Sequence, residues 1–422
     1  MKEVFQNHFQ ELGFEKQTAI QKAVYDPLRS KTSVVGLAPT GSGKTLAFTI
    51  PMLELIESSS NDLQAIIIEP SAELAMQTFR VISDWSKLID VKVSSLIGGV
   101  NISRQIDSLK NDPQIIVGTT GRIENLVNLG KISFKALQVM IIDEADNLLS
   151  EDTLKPIRNF VDLCPQDVCL GFFSATESDI VAHLNRWFNQ EIQRFDVREI
   201  DDTRGKVDHR ALEVSNQKKP LMLLRFLHVK GFRALVFFNE IQSLEKTNGF
   251  LKHHHVDQVA TLTSEQRQVS RQKSLNGFKK GTYSLLLTTD VAARGIDVID
   301  LPAVINYDLP KDSKTYIHRV GRTGRMHHDG IIINMGDDHD IRDLKKLLVG
   351  SDFNIKKIYF KGNQLSDSKP KIERSYRTQE QKNFEKKEFA QDSKPVIQAK
   401  HSVHPKKGKH SKRKGMRHKR KA

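Results

Sequence analysis

The chain has 422 residues, a length suited to two or three domains, and its 38% hydrophobic content is enough for well-packed cores. No apolar stretch approaches the length of a membrane span, and Met1–Phe5 lacks the apolar run of a signal peptide. We therefore expect a soluble cytoplasmic protein without a membrane partner. The two cysteines, Cys164 and Cys169, are too few for a structural zinc site and indicate incidental thiols in a reducing compartment.

The net charge of +14 is concentrated in the C-terminal segment. Residues 366–422 contain 19 Lys and Arg against 6 Asp and Glu, a net charge of +13, whereas residues 1–365 are nearly neutral. Attraction of a polyanion by bulk charge therefore belongs to this segment. We predict that it is disordered, because apolar periodicity is lost beyond residue 365.

Apolar strands alternate with helical segments throughout residues 1–197, which predicts a doubly wound parallel sheet. The expected strands are residues 33–38, 65–69, 92–96, 114–118, 139–142 and 168–173. The expected helices lie within residues 1–25 and at 44–55, 71–88, 104–109 and 123–128.

A charged, non-periodic stretch at residues 198–208 predicts a linker, after which residues 209–365 form a second domain of the same α/β class. Its expected strands are residues 234–239, 258–262, 283–288, 303–307 and 330–335, and its expected helices are residues 265–279, 313–320 and 340–348. Two such domains enclose a cleft, where a bound ligand can drive closure.

A glycine-rich segment joins the first predicted strand to a helix, and it reads Ala38-Pro39-Thr40-Gly41-Ser42-Gly43-Lys44-Thr45. Its backbone amides can turn toward phosphate oxygens at the positive end of that helix. Lys44 would then supply a charge to the β- and γ-phosphates, and Thr45 a hydroxyl to Mg²⁺. The alternative is an ordinary glycine-rich turn, and Ala38 stands where the general phosphate-loop pattern has glycine.

Acidic residues follow the apolar strand 139–142 as Asp143-Glu144-Ala145-Asp146. A carboxylate at a strand end can hold Mg²⁺ through its waters, and a neighbouring one can orient an attacking water. An exposed acidic helix start is the alternative. The phosphate loop favours the first interpretation, with Asp143 as the Mg²⁺ ligand and Glu144 as the base.

These two motifs together resemble those of the DEAD-box ATP-dependent RNA helicases, and the resemblance extends in order over roughly residues 13–335. It implies two RecA-like domains, ATP and Mg²⁺ as cofactors, RNA as the partner, and a monomer. Residues 13–21 resemble the adenine-reading segment, which assigns Phe14 and Gln21 to the base, although Gln17 replaces the usual proline. Ser174-Ala175-Thr176 resembles the segment that, with Asp146, couples hydrolysis to strand separation.

In the second domain, residues 318–325 carry three arginines at three-residue spacing, which suits guanidinium groups around a multiply charged anion. The resemblance places Arg322 and Arg325 on the γ-phosphate. It places His318 and Arg319 against the carboxylates of the first domain, and Gly295 and Asp297 at the ribose.

Polar and glycine-rich segments at predicted strand ends resemble the RNA-binding segments of the family and would hold the RNA backbone with little sequence specificity. The candidate RNA-binding residues are Pro70, Ser71, Gly98, Gly99, Thr119, Gly121, Arg122, Arg271, Thr289 and Asp290. Ala72 replaces the family's usual arginine and Thr120 the usual proline, so the first domain is expected to grip RNA more weakly.

We therefore predict an ATP-dependent RNA helicase that closes on ATP and RNA, separates duplexes or remodels RNA–protein complexes, and releases RNA on hydrolysis. The alternatives are an ATP-gated RNA clamp without productive unwinding and a DNA helicase of the same superfamily. The compact core resembles bacterial members that act in ribosome assembly or cold adaptation. Residues 406–421 hold ten Lys and Arg and no acid, which favours an RNA-binding tether over a simple linker or a targeting signal.

Overall fold

The computed structural model describes residues 1–203, 205–293, 301–324, 328–351 and 353–369. This part of the chain contains two parallel sheets with helices packed on both faces, so the predicted pair of doubly wound domains is confirmed. Apart from residues 366–369, the basic segment lies outside the described residues. No helix within the described ranges is both long and apolar enough to cross a membrane.

The first sheet has the strand order β3-β4-β2-β5-β6-β1-β7. Its strands are β1 Val34–Leu37, β2 Ala65–Glu69, β3 Val93–Leu96, β4 Ile115–Thr119, β5 Val139–Ile142, β6 Cys169–Ser174 and β7 Gln193–Asp196. The helices around it are α1 Glu3–Glu11, α2 Ala19–Arg29, α3 Lys44–Leu55, α4 Ala72–Ser86, α5 Ile102–Leu109, α6 Thr120–Asn128, α7 Ala145–Leu148, α8 Glu151–Asp162, α9 Asp179–Ala182 and α10 Leu184–Phe188.

The second sheet has the order β10-β11-β9-β12-β13-β8-β14. Its strands are β8 Val207–Glu213, β9 Ala234–Phe238, β10 Val259–Leu262, β11 Leu285–Thr289, β12 Ala303–Asn306, β13 Gly330–Gly336 and β14 Lys356–Lys357, with a separate antiparallel pair β15 Tyr359–Lys361 and β16 Gln364–Ser366. Its helices are α11 Lys219–Leu227, α12 Ile241–His253, α13 Gln268–Lys279, α14 Asp290–Ala293, α15 Ser313–Val320 and α16 Asp338–Leu347.

The central strands are buried on both faces, which explains why they read as continuous apolar runs. In β2, Ile67 packs in the core on one face of the sheet while Ile66 and Ile68 pack in the core on the other face. Strands β1, β6 and β5 are neighbours, so the segments that follow them meet at one edge of the sheet. This register brings together the phosphate loop, the Ser174-Ala175-Thr176 segment and the acidic motif.

The linker predicted at residues 198–208 is shorter than the sequence suggested, because β8 already begins at Val207 and pairs with β13. The charges of Asp208 and Arg210 concealed this strand. They alternate with His209 and Ala211, which are buried, so the segment has the period of two that is typical of a half-buried strand. The exposed edge strand β7 was missed because little of it is buried.

Arg319 does not reach the carboxylates of the first domain, and this prediction was wrong. Its guanidinium is 1% exposed and donates both Nε and Nη2 to Asp290 at 2.7 Å. Further hydrogen bonds go to the side-chain oxygens of Asn306 and Asn239 and to the carbonyl of Asp308. Arg319 therefore ties together the carboxyl ends of β9, β11 and β12 within the second domain.

We expect Arg319→Ala to lower the free energy of unfolding by about 3 kcal/mol, because it leaves the fully buried Asn306 amide oxygen and the partly buried Asp290 carboxylate without their donor. Urea denaturation followed by circular dichroism measures this. The exposed Arg342, which pairs with Asp338 on α16, provides the control. Its alanine variant should stay within about 0.5 kcal/mol of the wild type. Equal stability of the two variants would show that Arg319 serves coupling rather than folding.

Candidate active site between the two domains

The loop 38–45 has the backbone of a phosphate cradle. Gly41 and Gly43 adopt φ values of 86° and 84°, which favour glycine, and Gly43 precedes the first turn of α3. The Lys44 ammonium folds back over the loop and donates to the carbonyls of its first two residues at 2.9 and 2.8 Å. Ser42 Oγ is buried and has no hydrogen-bond partner within the described part of the chain. The loop thus offers backbone amides, a cation and an unsatisfied hydroxyl to an anion.

Gln21 connects the adenine-type segment to this loop. Its Oε1 accepts from the backbone N–H of Thr18 at 3.0 Å, and its Nε2 donates to the Gly43 carbonyl at 3.3 Å. An amide has two donors and two lone pairs, so one N–H and one lone pair remain for a base edge. Phe14 packs against Phe9 with a ring-centroid separation of 4.9 Å.

The acidic motif turns sharply after β5. Glu144 has a φ of 48°, and its backbone N–H donates to Asp143 Oδ1 at 2.8 Å. Asn147 Nδ2 donates to Glu144 Oε2 at 2.8 Å, which orients the second carboxylate. Burial raises the pKa of Asp143 to about 6; the Lys44 charge opposes this rise and the Glu144 charge adds to it. Asp143 therefore lies in a buried pocket, with Glu144 half-buried beside it, rather than on an exposed helix start.

A third carboxyl group, which the sequence interpretation missed, lies beside them. Glu69 ends β2, the strand next to β5, and the pairing of Ile68 with Ile142 places it alongside Asp143. It is fully buried, and Thr78 Oγ1 donates to its Oε1 at 2.5 Å. Burial and then the Asp143 charge raise its pKa well above the usual range. The available signal was an acid in the last position of a wholly apolar strand.

The oxygen donors at this edge fit a magnesium ion. Thr45 lies in the first turn of α3, and Asp143 directly follows the last residue of β5. Among the residues described, no group of three or more His, Cys, Asp and Glu side chains could hold a metal by itself. Mg²⁺ does not need such a cage, because it usually keeps several waters and binds one or two carboxylates together with substrate phosphates.

Asp146 receives donors from both domains. From the first domain, Thr176 Oγ1 donates to Asp146 Oδ2, and Ser174 Oγ in turn donates to the Thr176 carbonyl at 2.6 Å. From the second domain, His318 Nε2 lies 3.4 Å and Lys314 Nζ 3.0 Å from the same carboxylate oxygen. Burial alone would raise the pKa of Asp146, but the contacts of His318, Lys314 and Thr176 hold it below its usual range. The predicted coupling residues thus meet here, except Arg319.

The arginine motif, residues 318–325, contacts the phosphate loop at Gly321. Thr40 Oγ1 donates to the Gly321 carbonyl at 3.2 Å, and a Cβ at Gly321 would overlap Thr40. The next residue, Arg322, is therefore carried to the same side of the cleft. Arg325, Gly295 and Asp297 lie outside the described residues.

The candidate RNA-binding residues lie where predicted, at the carboxyl ends of strands or the helix starts that follow them. Both arginines among these candidates contact protein groups. Arg122 donates to Gln105 Oε1 at 2.7 Å and to the Val100 carbonyl at 3.1 Å, and so braces the loop that contains Gly98 and Gly99.

Arg271 contacts the first domain, which the sequence did not predict. Its guanidinium forms an ion pair with Glu73 of α4 at 2.8 Å and donates to the Thr263 carbonyl at 2.9 Å. Asp290, another candidate, is held by Arg319. Thr120 Oγ1, at the start of α6, is buried and has no hydrogen-bond partner among described residues. Arg271 therefore links the second domain to α4 of the first.

Comparison with known proteins agrees with this geometry. Residues 18–184 match the family model for DEAD/DEAH box helicases, and residues 218–327 match that for the helicase conserved C-terminal domain. The chain is 34% identical over 360 residues to the probable ATP-dependent RNA helicase YfmL of Bacillus subtilis, covering 85% of this chain and 95% of that protein. It is 31% identical over 375 residues to the DEAD-box ATP-dependent RNA helicase CshC of Bacillus cereus, covering 88% and 95%.

The fold is also that of S. cerevisiae Dbp5 bound to RNA and ADP BeF3. That structure has a TM-score of 0.74 and 24% identity, covering 85% of this chain and 93% of the other. Since relatives at 31% identity and above are matched over nearly their whole length, the chain belongs to the DEAD-box family of ATP-dependent RNA helicases.

Proposed function

We propose that this enzyme closes its two domains on ATP and RNA, locally separates RNA duplexes or remodels RNA–protein complexes, and releases RNA after ATP hydrolysis. The observation that carries the proposal is the meeting of second-domain residues with the phosphate loop and the acidic motif, through Gly321 with Thr40 and His318 with Asp146. Because the catalytic groups are divided between the domains, hydrolysis requires closure.

In the closed state the amides of loop 38–45 and Lys44 hold the phosphates, and Gln21 binds the adenine edge. Thr45 and Asp143 would hold Mg²⁺, which when bound neutralises charge on the phosphate oxygens. Glu144, oriented by Asn147, accepts the proton of the attacking water. Arg322 stabilises charge on the γ-phosphate, and Arg325 has the same proposed role.

Hydrolysis is communicated to RNA through Asp146, which joins the acidic motif to Thr176 and to the second domain. The strand-end segments hold the RNA backbone and read little sequence. Residues 366–422 add non-specific, salt-sensitive affinity. A cytoplasmic location and action in ribosome assembly or cold adaptation stay predictions.

Lys44→Ala and Glu144→Gln should both abolish RNA-stimulated ATP hydrolysis, the first by removing the charge on the phosphates and the second by removing the base. Glu144→Gln keeps its shape and should still bind RNA tightly in the presence of ATP. Phosphate release with and without RNA measures the first effect and fluorescence anisotropy the second. The exposed positions Lys135→Ala and Glu191→Gln are matched controls. Near-normal turnover in either active-site variant would contradict the assignment.

A duplex-release assay distinguishes the proposed RNA helicase from its two alternatives, the RNA clamp without unwinding and the DNA helicase. Wild-type enzyme with ATP should release the strand of a short RNA duplex and leave the matched DNA duplex intact. Retention of RNA without release of either strand would favour the clamp, and release of the DNA strand would favour the DNA helicase.

Arg322→Ala should lower turnover by about 10³-fold or more, as loss of an arginine finger does elsewhere, while ATP binding is retained. Arg322→Lys keeps a charge but lacks the planar fork, so it should recover only a small part of the rate. Steady-state ATPase at saturating RNA measures both variants, with Arg342→Ala as the control and thermal unfolding to verify folding. A loss of less than about tenfold in Arg322→Ala would exclude a role on the γ-phosphate.

A further inference from the structure

Lys314 makes a contact between the domains that neither the motif pattern nor the proposed mechanism uses. It lies four residues before His318 on α15, so the two side chains project from the same face of the helix. Its Nζ lies 3.0 Å from Asp146 Oδ2 and also donates to the backbone carbonyl of Asp146 at 3.0 Å. One ammonium group therefore contacts both the side chain and the backbone carbonyl of a single residue in the opposite domain.

Within its own segment, burial raises the pKa of the cap residue Asp312 and the charge of Lys314 helps to lower it, but the rest of the local structure does not call for a lysine. A cation in the first turn is opposed by the positive end of the helix dipole. The helix is already capped by Asp312, which accepts from the Thr315 backbone N–H at 2.7 Å and from its hydroxyl at 2.8 Å. The Lys314 side chain is 40% exposed, so it fills no core position. Its contacts with Asp146 are what distinguish it.

Asp146 needs this partner. Its side chain is 1% exposed, and a buried carboxylate is costly unless it is paired and hydrogen-bonded. His318 Nε2, at 3.4 Å, is at the long end of a hydrogen bond. Helix α7 is only four residues long and leaves carbonyls without partners, one of which Lys314 satisfies. The ammonium thus fixes the carboxylate that Thr176 contacts.

We propose that Lys314 is a positioning residue for ATP-driven closure: its ammonium engages Asp146 when the domains close and holds that carboxylate against Thr176. This inference rests on the proposed function, because it presupposes closure on ATP and RNA. The proposal adds the Lys314–Asp146 ion pair to the contact of His318 with the same carboxylate. Removing the pair should therefore weaken the closed state and leave each separate domain intact.

The test compares RNA affinity with and without a nucleotide that stabilises closure. Full-length protein is titrated into a fluorescent 10-nucleotide single-stranded RNA, either with ADP, beryllium fluoride and Mg²⁺ or without nucleotide. Lys314→Met should raise the half-saturating protein concentration about tenfold with the nucleotide and leave it unchanged without. Lys314→Glu, which faces Asp146 with a like charge, should have a larger effect. Lys314→Arg should stay within about twofold of the wild type.

Lys311→Met, an exposed lysine in the loop before α15, is the matched control. ATPase assays should show that Lys314→Met raises the KM for RNA by a similar factor while kcat at saturating RNA falls by less than about twofold, since the acids and arginines are intact. Thermal unfolding should be the same as in the wild type.

The inference is overturned if Lys314→Met behaves as Lys311→Met does, if it weakens RNA binding equally without nucleotide, or if Lys314→Arg is as defective as Lys314→Met. Wild-type protein that binds RNA no more tightly with the nucleotide than without would instead refute the proposed function. The two failures are therefore distinguishable.

Discussion

A single buried carboxylate, that of Asp146, depends on hydrogen-bond donors from both halves of the enzyme. Thr176 reaches it within the first domain, and His318 and Lys314 reach it from the second. A carboxylate withdrawn from water is stabilised only when its lone pairs are used. Without the second domain, Asp146 loses two cationic or polar partners, so contact between the domains and the geometry of the hydrolysis-coupling segment are energetically linked through one side chain.

A second group of acids lies close to Asp146 in the sequence or in the sheet, and its carboxyl groups crowd one another. Glu69, Asp143 and Glu144 lie together at the carboxyl ends of adjacent strands. Burial raises the pKa of Asp143 to about 6 and raises the pKa of Glu69 well above its usual range. Both raised pKa values mean that the ionised forms of Asp143 and Glu69 are disfavoured unless a cation lies close to them. The charge of Lys44 lowers the pKa of Asp143. The groups that would bind phosphate and metal therefore also control the charge state of the acids.

The sequence predicted the position of an element correctly where the residues of that element alone determine its structure. Helix α15 and strands β2 and β5 lie at the predicted positions, because each has a single strong pattern of apolar residues or caps. Arg319 and Arg322 look equivalent in the motif, yet the partners of Arg319 come from three different strand ends, which local spacing cannot reveal. Lys314 was missed for the same reason: it reads as an ordinary charged residue until its distant partner is placed.

Two ion pairs that join the domains differ in exposure. Arg271 with Glu73 is mostly buried, whereas Lys314 beside Asp146 is 40% exposed. Salt screens exposed charges more strongly than buried ones. High salt should therefore weaken Lys314's contribution before that of Arg271, and it should also weaken the capture of RNA that we propose for the basic segment. Under these proposals, salt would act at two separable steps, capture by the C-terminal segment and closure at Asp146. The ratio of the RNA affinity with nucleotide to that without reports the closure step, because capture by the C-terminal segment contributes equally to both affinities.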